Sequence, residues 1–267
     1  MTVKELNDAL MAMHKHSRYA KLVFYLEACH SASMFEKVLP SEINVYAVTA
    51  ANRNQSSWAR YCHESDLPCL GDDFSASWMD DSDVEDLTKE TIGAQFELAQ
   101  KETTTSQVQQ WGDKKLAADH VSEYQGAKKA SRLFGDRLNR TLAKQESAVK
   151  SEDVELDFLR RQLESNDDTA AAVEVQARID EIHKERQSAR HAMKALVSAV
   201  YDKSNDSHSA NAIRRKRFFD ERHPVLYPDC HHTIVRAYHE HCTSVNKVSY
   251  AMKYAYVLNN MCIEEKG

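Results

Sequence analysis

Glycine and proline are the residues this sequence has least of. Its 267 residues include 6 Gly and 4 Pro, where average usage would give roughly 19 and 13. Tight connections depend on those residues, so their scarcity argues against an all-β sandwich and for long helices. Long apolar runs are also missing. None approaches the ~18 residues that a membrane-spanning helix needs, so no membrane span is expected. Positive charge is not in excess either: 35 Lys and Arg face 41 Asp and Glu, a net charge of −6. Nucleic acid is therefore not an expected partner. The first residues, Met1 to Asp8, are polar and lack the apolar stretch of a secretory leader. No cofactor is expected. What is present is enough apolar residue, 42% of the chain, to build one large core or two modest ones.

The pattern changes along the chain. Residues 3–18 read as a helix with Leu6, Leu10, Met11 and Met13 on or near one face. Lys21 to Cys29 is an apolar run bounded by a charge and by small residues, the pattern of a buried, parallel strand. A second strand fits Ile43–Thr49. Helices over about 73–79 and 84–101 would cover the sheet, which makes the first part α/β. Residues 104–150 are polar and weakly periodic, and read as a late edge segment and a linker. Past residue 150 the spacing becomes helical. Val154, Phe158 and Leu163 precede a break at Ser165-Asn166-Asp167-Asp168, and a long helix follows over about 170–201. Further helices are expected over 211–264. The expected organisation is an α/β part over 1–125, a linker and activation segment over 126–168, and an all-α part over 169–267.

Cysteine spacing and sequons point to an oxidising compartment. Cys62 and Cys69 are close in sequence, as are Cys230 and Cys242 with Cys262 beyond, while Cys29 stands alone. Asn54-Gln55-Ser56, Asn139-Arg140-Thr141 and Asn205-Asp206-Ser207 are glycosylation triplets, though such triplets also arise by chance. His231, His232, His239 and His241 crowd the C-terminal cysteines, but their spacing fits no standard zinc module, so no metal is expected.

In open parallel sheets, ligands bind beyond the carboxyl ends of the strands. Cys29 sits at such an end, followed by His30-Ser31-Ala32-Ser33, whose small residues would leave the sulfur accessible. A nucleophilic thiol suits that place; a buried structural cysteine is the competing reading. The wider pattern bears on the choice. Phe24-Tyr25-Leu26-Glu27-Ala28-Cys29-His30-Ser31-Ala32-Ser33-Met34 resembles the nucleophile segment of the legumains, the asparaginyl endopeptidases. The resemblance continues through 43–52, Gln55-Ser56-Ser57-Trp58, Cys69-Leu70-Gly71-Asp72 and 78–91, with weaker matches to the C-terminal tail.

The resemblance implies a caspase-like parallel sheet layered with helices, then an all-α prodomain. It implies a cysteine endopeptidase that cuts after Asn, and after Asp at acidic pH. Cys29 would be the nucleophile, with its backbone N–H in the oxyanion hole. Glu27 and Asp72 would be acids of the pocket for the residue before the cleaved bond, and Ser56 and Ser57 would line it. Recognising a carboxamide takes an acceptor and a donor in one pocket. The implied disulfides are Cys62–Cys69 and Cys230–Cys262, leaving Cys242 unpaired. Loop-closure entropy gives about 2.5 and about 3.7 kcal/mol for the two bridges. Asn166–Asp167 matches the family's activation segment, against the alternative of a simple helix cap. Lys253 matches a basic residue that reaches toward the acidic pocket in the latent form. Partners would be protein and peptide substrates, cystatin-type inhibitors and the chain's own prodomain. The location would be a lysosome or vacuole, or outside the cell.

The family's catalytic histidine lies in a His-Gly pair upstream of the cysteine strand. None of the 13 histidines here is followed by Gly. The sequence therefore reads as truncated at its N-terminus, with the first strands of the sheet missing and little activity by itself. Two other readings stay open: a catalytically silent binding protein, and a relative of the GPI-transamidase subunit.

Overall fold

The computed structural model describes residues 1–62, 67–126, 148–165, 169–202, 205–242 and 248–266. They form two compact units, one of Asn7–Gln162 and one of Leu163–Gly267 with Met1–Leu6.

Helix α1 runs over Val3–Lys15 and stops where Ser17 takes a positive φ of 50°. Val3, Leu6 and Leu10 are buried on it, whereas Met11 and Met13 are 40% and 38% exposed. The apolar face of this helix is thus narrower than expected.

The first unit is organised around a three-stranded sheet of order β1-β2-β5: Leu22–Leu26, Val45–Thr49 and Gln109–Gly112. β1 and β2 are parallel, with Leu22 opposite Val45 and Leu26 opposite Thr49. β5 is antiparallel to β2, with Tyr46 opposite Gly112. All five residues of the central β2 are buried. β1 was expected to be buried as well, yet it is half-buried at every position. The reason is its place at the edge of the sheet, with one flank unpaired among the described strands. Gly112 has a φ of +78°, and a side chain there would collide with the Val45 carbonyl oxygen.

A second small sheet has the order β4-β3-β6, made of Gly71–Asp72, Trp58–Arg60 and Val149–Lys150, all antiparallel. Helices α2 (Asp73–Val84) and α3 (Ile92–Glu102) differ from the expected spans of 73–79 and 84–101. The stretch between them is taken up by turns, in which the Lys89 and Glu90 amides both donate to the Asp86 carbonyl. Thr91 then caps α3, its side chain accepting from the Ala94 amide at 3.1 Å. The core gathers Tyr46, Val48, Phe74, Leu87, Ile92, Phe96 and Val108. A one-turn helix α4 (Ser122–Gln125) follows. The stretch read as linker contains β6 and helix α5 (Val154–Ser165) among its described residues.

The second unit is helical, as expected. It contains α6 (Thr169–Tyr201), α7 (His208–Asp220), α8 (Pro228–His241), a 3₁₀ turn over Ser249–Tyr254, and α9 (Ala255–Lys266). Met193, Val197, Phe218, Val235, Tyr238, Leu258 and Met261 form its core. Its buried amides hold the α7–α8 connection. Asn260 Nδ2 donates to the carbonyls of Phe218 and Glu221, and Asn259 Nδ2 to those of His223 and Pro224. The Cys230–Cys262 bridge joins α8 to α9, and Cys62–Cys69 closes a short loop in the first unit. Cys29 and Cys242 are free thiols. Among the described residues, no helix is long and apolar enough to cross a membrane.

Candidate active site at the carboxyl end of strand β1

Parallel pairing brings the carboxyl ends of β1 and β2 to the same edge of the sheet, where open α/β sheets place their sites. The chain leaves β1 at Leu26 and turns through Glu27-Ala28-Cys29-His30 into a 3₁₀ turn over Ser31–Met34. His30 adopts the left-handed conformation, with φ 59°, which few non-glycine residues do. The turn is pinned to the segment after β2. The His30 amide donates to the Gln55 carbonyl at 2.8 Å and the Ala32 amide to the Ala51 carbonyl at 3.0 Å. Ser31 Oγ accepts from the Ala51 amide at 3.0 Å. Cys29 is therefore carried by an anchored backbone.

From the sulfur a chain of polar contacts runs to a carboxylate. Cys29 Sγ lies 3.7 Å from Ser57 Oγ, Ser57 Oγ lies 3.0 Å from Ser151 Oγ, and Ser151 Oγ donates to Asp72 Oδ1 at 3.0 Å. Ser57 precedes β3, Asp72 ends β4 and Ser151 follows β6, so the small antiparallel sheet fixes all three. The Ser151 amide also donates to the Ser57 carbonyl at 3.0 Å. Ser56 Oγ donates to Glu152 Oε2 at 3.2 Å.

Glu27 is the second carboxylate. Its Oε2 accepts from the Ser75 amide at 2.9 Å and the Ser75 hydroxyl at 3.1 Å, in the first turn of α2. Free amides at a helix start favour an anion. Burial outweighs them and, together with the Asp72 charge nearby, pushes the Glu27 carboxyl up to about 7. Burial also raises Asp72, opposed by the Ser151 hydrogen bond. Two acids with raised proton affinity thus stand near a thiol, in surroundings rich in hydroxyl groups. Such a site can accept from an amide NH₂ when the acids are ionised, and can also donate once they are protonated.

Of the residues singled out in the sequence, Cys29, Ser57 and Asp72 lie on this chain of contacts, while Glu27 bonds to Ser75 and Ser56 to Glu152. Ser75, Ser151 and Glu152 are additions. Ser75 had a signal, since it lies in the first turn of the helix after Asp72, where amides lack partners. Ser151 and Glu152 had none, because only the β3–β6 pairing delivers a segment so distant in sequence. Asn166 and Asp167 lie outside the described residues. Lys253 belongs to the 3₁₀ turn of the helical unit, its Nζ 5.1 Å from the Tyr250 ring centre. The sulfur's described hydrogen-bond partner is a serine hydroxyl, not an imidazole. No group of three or more His, Cys, Asp or Glu among the described residues is placed to hold a metal ion.

Two family descriptions match separate parts of the chain. Residues 1–127 match the Peptidase C13 family and residues 177–266 match the family described as legumain, prodomain. Legumain from Bos taurus is 35% identical over 262 residues, which cover 97% of this chain and 58% of the relative. The vacuolar-processing enzyme delta-isozyme of Arabidopsis thaliana is 31% identical over 274 residues, covering 97% of this chain and 57% of the relative. The hemoglobinase of Schistosoma mansoni is 37% identical over 161 residues, 60% of this chain and 37% of the relative. The class these findings define is a cysteine-peptidase fold with a helical prodomain. The chain belongs to the legumain family, and it spans a little under 60% of the length of the first two relatives.

Proposed function

We propose that the chain is the nucleophile-bearing part of a legumain-type cysteine endopeptidase, made as a zymogen, that cleaves proteins and peptides after Asn and, at acidic pH, after Asp. One observation carries this reading: the contacts from Cys29 through Ser57 and Ser151 to Asp72, with Glu27 alongside. In the proposed reaction the Cys29 thiolate attacks the scissile carbonyl carbon, and the Cys29 backbone N–H donates to the oxygen that becomes negative. The NH₂ of an asparagine side chain donates to the carboxylates of Glu27 and Asp72, and Ser56 and Ser57 line the same pocket. Near neutral pH a substrate aspartate is repelled by these acids. Below about 7 Glu27 takes up a proton, and that repulsion falls.

Asn166–Asp167 is the self-cleavage bond, and Lys253 contributes to latency through the acidic pocket. Carboxylate protonation weakens that docking and releases the helical unit at low pH. The location proposed is a lysosome, a vacuole or the extracellular space, with cystatin-type inhibitors as partners.

A thiol needs a base to make or keep its thiolate, and the partner described for Cys29 is a hydroxyl. The proposal therefore includes little or no peptide turnover by this chain on its own. The same observation favours a second reading, a silent binding protein that holds Asn-containing segments in the pocket. An Asn-directed covalent peptide probe separates the two. On the first reading it labels Cys29 slowly, fails with Cys29→Ser, and labels less with Asp72→Asn. Binding of an Asn peptide with no labelling favours the silent binder. Rapid turnover of an Ala-Ala-Asn reporter, abolished by Cys29→Ser, would overturn the claim of low activity.

A further inference from the structure

The helical unit carries an unusual distribution of charge. From Arg186 to Tyr201, α6 contains Arg186, Arg190 and Lys194 and no acid. Arg190 and Lys194 are four residues apart, so they share a helix face, and like charges at that spacing repel. Both are exposed, and neither forms an ion pair with the described residues. In α7 the run Arg214-Arg215-Lys216-Arg217 faces a single acid in its own helix, Asp220.

These two stretches meet at a cavity of about 730 Å³. Its cations are Arg190 and Lys194 from α6 and Arg215 and Lys216 from α7. The hydroxyl of Ser198, one turn beyond Lys194, also lines it, and Phe219, Tyr254 and Tyr256 supply aromatic wall. Two acids stand nearby: Arg215 pairs with Asp202, and Lys216 Nζ lies 3.8 Å from Asp220 Oδ2. Two of the four cations are thus compensated and two are not.

We propose that this cavity is a binding site for a compact polyanion of the polyphosphate class. Three features point to that chemistry. Four cations delivered by two helices around one cavity match a ligand with several charges close together, whereas a single carboxylate would leave most of them unused. Arginine guanidinium groups and a serine hydroxyl are donors suited to phosphate oxygens. The aromatic wall keeps water from one side of the site and strengthens each charge contact. The volume falls in the range of small-ligand sites, which favours a soluble ligand over a long polymer or a flat lipid surface.

Isothermal calorimetry with inorganic tripolyphosphate tests this on the full chain at fixed ionic strength. The expected result is saturable one-to-one binding that weakens as salt rises. The double variant Arg190→Gln, Lys194→Gln should weaken it at least tenfold. Both side chains are exposed, so the helical signal in circular dichroism should be unchanged. Arg236→Gln, an exposed cation on α8 that does not line the cavity, should bind like the parent chain. Vesicles carrying a phosphoinositide bisphosphate distinguish the source of the phosphates. Capture that tripolyphosphate competes away, and that the double variant loses, identifies a lipid headgroup at the same site; no capture identifies a soluble ligand. Absence of saturable binding overturns the proposal. So does binding that the double variant retains, or that Arg236→Gln reduces equally.

Discussion

The two units of this protein differ in what they bury. Among the described residues, charged side chains are buried only in the α/β unit, where Arg60, Asp73 and Asp81 are 2%, 1% and 1% exposed. The buried polar side chains of the helical unit are uncharged: Thr2, Asn211, His231, Asn259 and Asn260. The helical unit has a bridge that joins two of its helices, α8 and α9, whereas the bridge of the α/β unit only closes a short loop. Burying charge costs stability unless the partners are well matched. The unit that holds the candidate chemistry accepts that cost, and its Glu27 belongs to the same strategy. The helical unit uses apolar packing and a disulfide, and keeps its charge on the surface, where a ligand or partner can reach it.

The largest expected effect is on the buried ion pair of Arg60 and Asp73, which also accepts from Thr105. Asp73→Ala removes the ion-pair partner of a buried guanidinium, which Asp80 and Glu102 influence only through longer-range charge, and should lower the stability of the α/β unit by about 3–5 kcal/mol. All three tryptophans, Trp58, Trp78 and Trp111, lie in that unit, so urea unfolding followed by tryptophan fluorescence reports it selectively. An equal shift of the helical signal would show that the two units unfold together.

Removing the Cys230–Cys262 bridge by serine substitution at both positions should cost the helical unit about 3.7 kcal/mol. Far-UV circular dichroism measures it, and the tryptophan transition should stay in place. A coincident loss in both signals would erase the distinction between the units.

Acidification should move the two units in opposite directions. Glu27 binds its proton more tightly in the folded state than in the unfolded chain, so the folded state holds more protons between about 4.5 and 7. Its contribution is fully present below the unfolded value and is lost as the pH rises through about 7, an effect of about 3 kcal/mol. Glu27→Gln should flatten most of the pH dependence of the tryptophan transition. A residual slope of the same sign is expected from Asp72, whose carboxyl burial also raises. His231 behaves in reverse. Burial lowers its pKa, against the hydrogen bond to the Ala255 carbonyl. Its contribution is present above the unfolded value near 6.5 and is lost as the pH falls through the folded one. The helical unit should thus weaken on acidification while the α/β unit gains, and His231→Gln should reduce the former change. Thermal melts between pH 7 and 4.5, followed by both signals, test the pair; parallel shifts would contradict it.

The smallest effect is expected at Ser151. Ser151→Ala removes the hydroxyl between Ser57 and Asp72 and should cost about 1 kcal/mol of stability. Its clearer readout is Cys29, which should react at an altered rate with a small thiol reagent once Ser57 loses that partner. An unchanged rate would show that the contacts do not reach the sulfur.

Much of this was legible in the sequence because the signals were local. The apolar runs at 22–26 and 45–49, the small residues after Cys29 and the helical spacing after residue 169 each lie within one segment. Scarce glycine and proline set the bias toward helix. Parallel β1–β2 pairing then places Cys29 at the end of the sheet where ligands bind. The resemblance to the legumains, carried by the blocks around Cys29, Ser56 and Asp72, extended this to Glu27, Asp72, Ser56 and Ser57 as candidates.

Tertiary structure alone decided the rest. Nothing local marks β1 as an edge strand, since burial depends on which strands lie beside it. Ser151 and Glu152 sit in a polar stretch with weak periodicity, and pairing with β3 makes them neighbours of Ser57 and Ser56. The raised proton affinity of Glu27 comes from being folded into a low-dielectric space near a second acid, which no spacing records. The same holds for the cations of α6 and α7: sequence places them on two helices, and packing gathers them around one cavity. Local spacing fixes which residues share a face of an element, because that follows from covalent geometry. Which faces meet, and which charges are taken from water, is set by long-range packing, and here that is where the candidate chemistry lies.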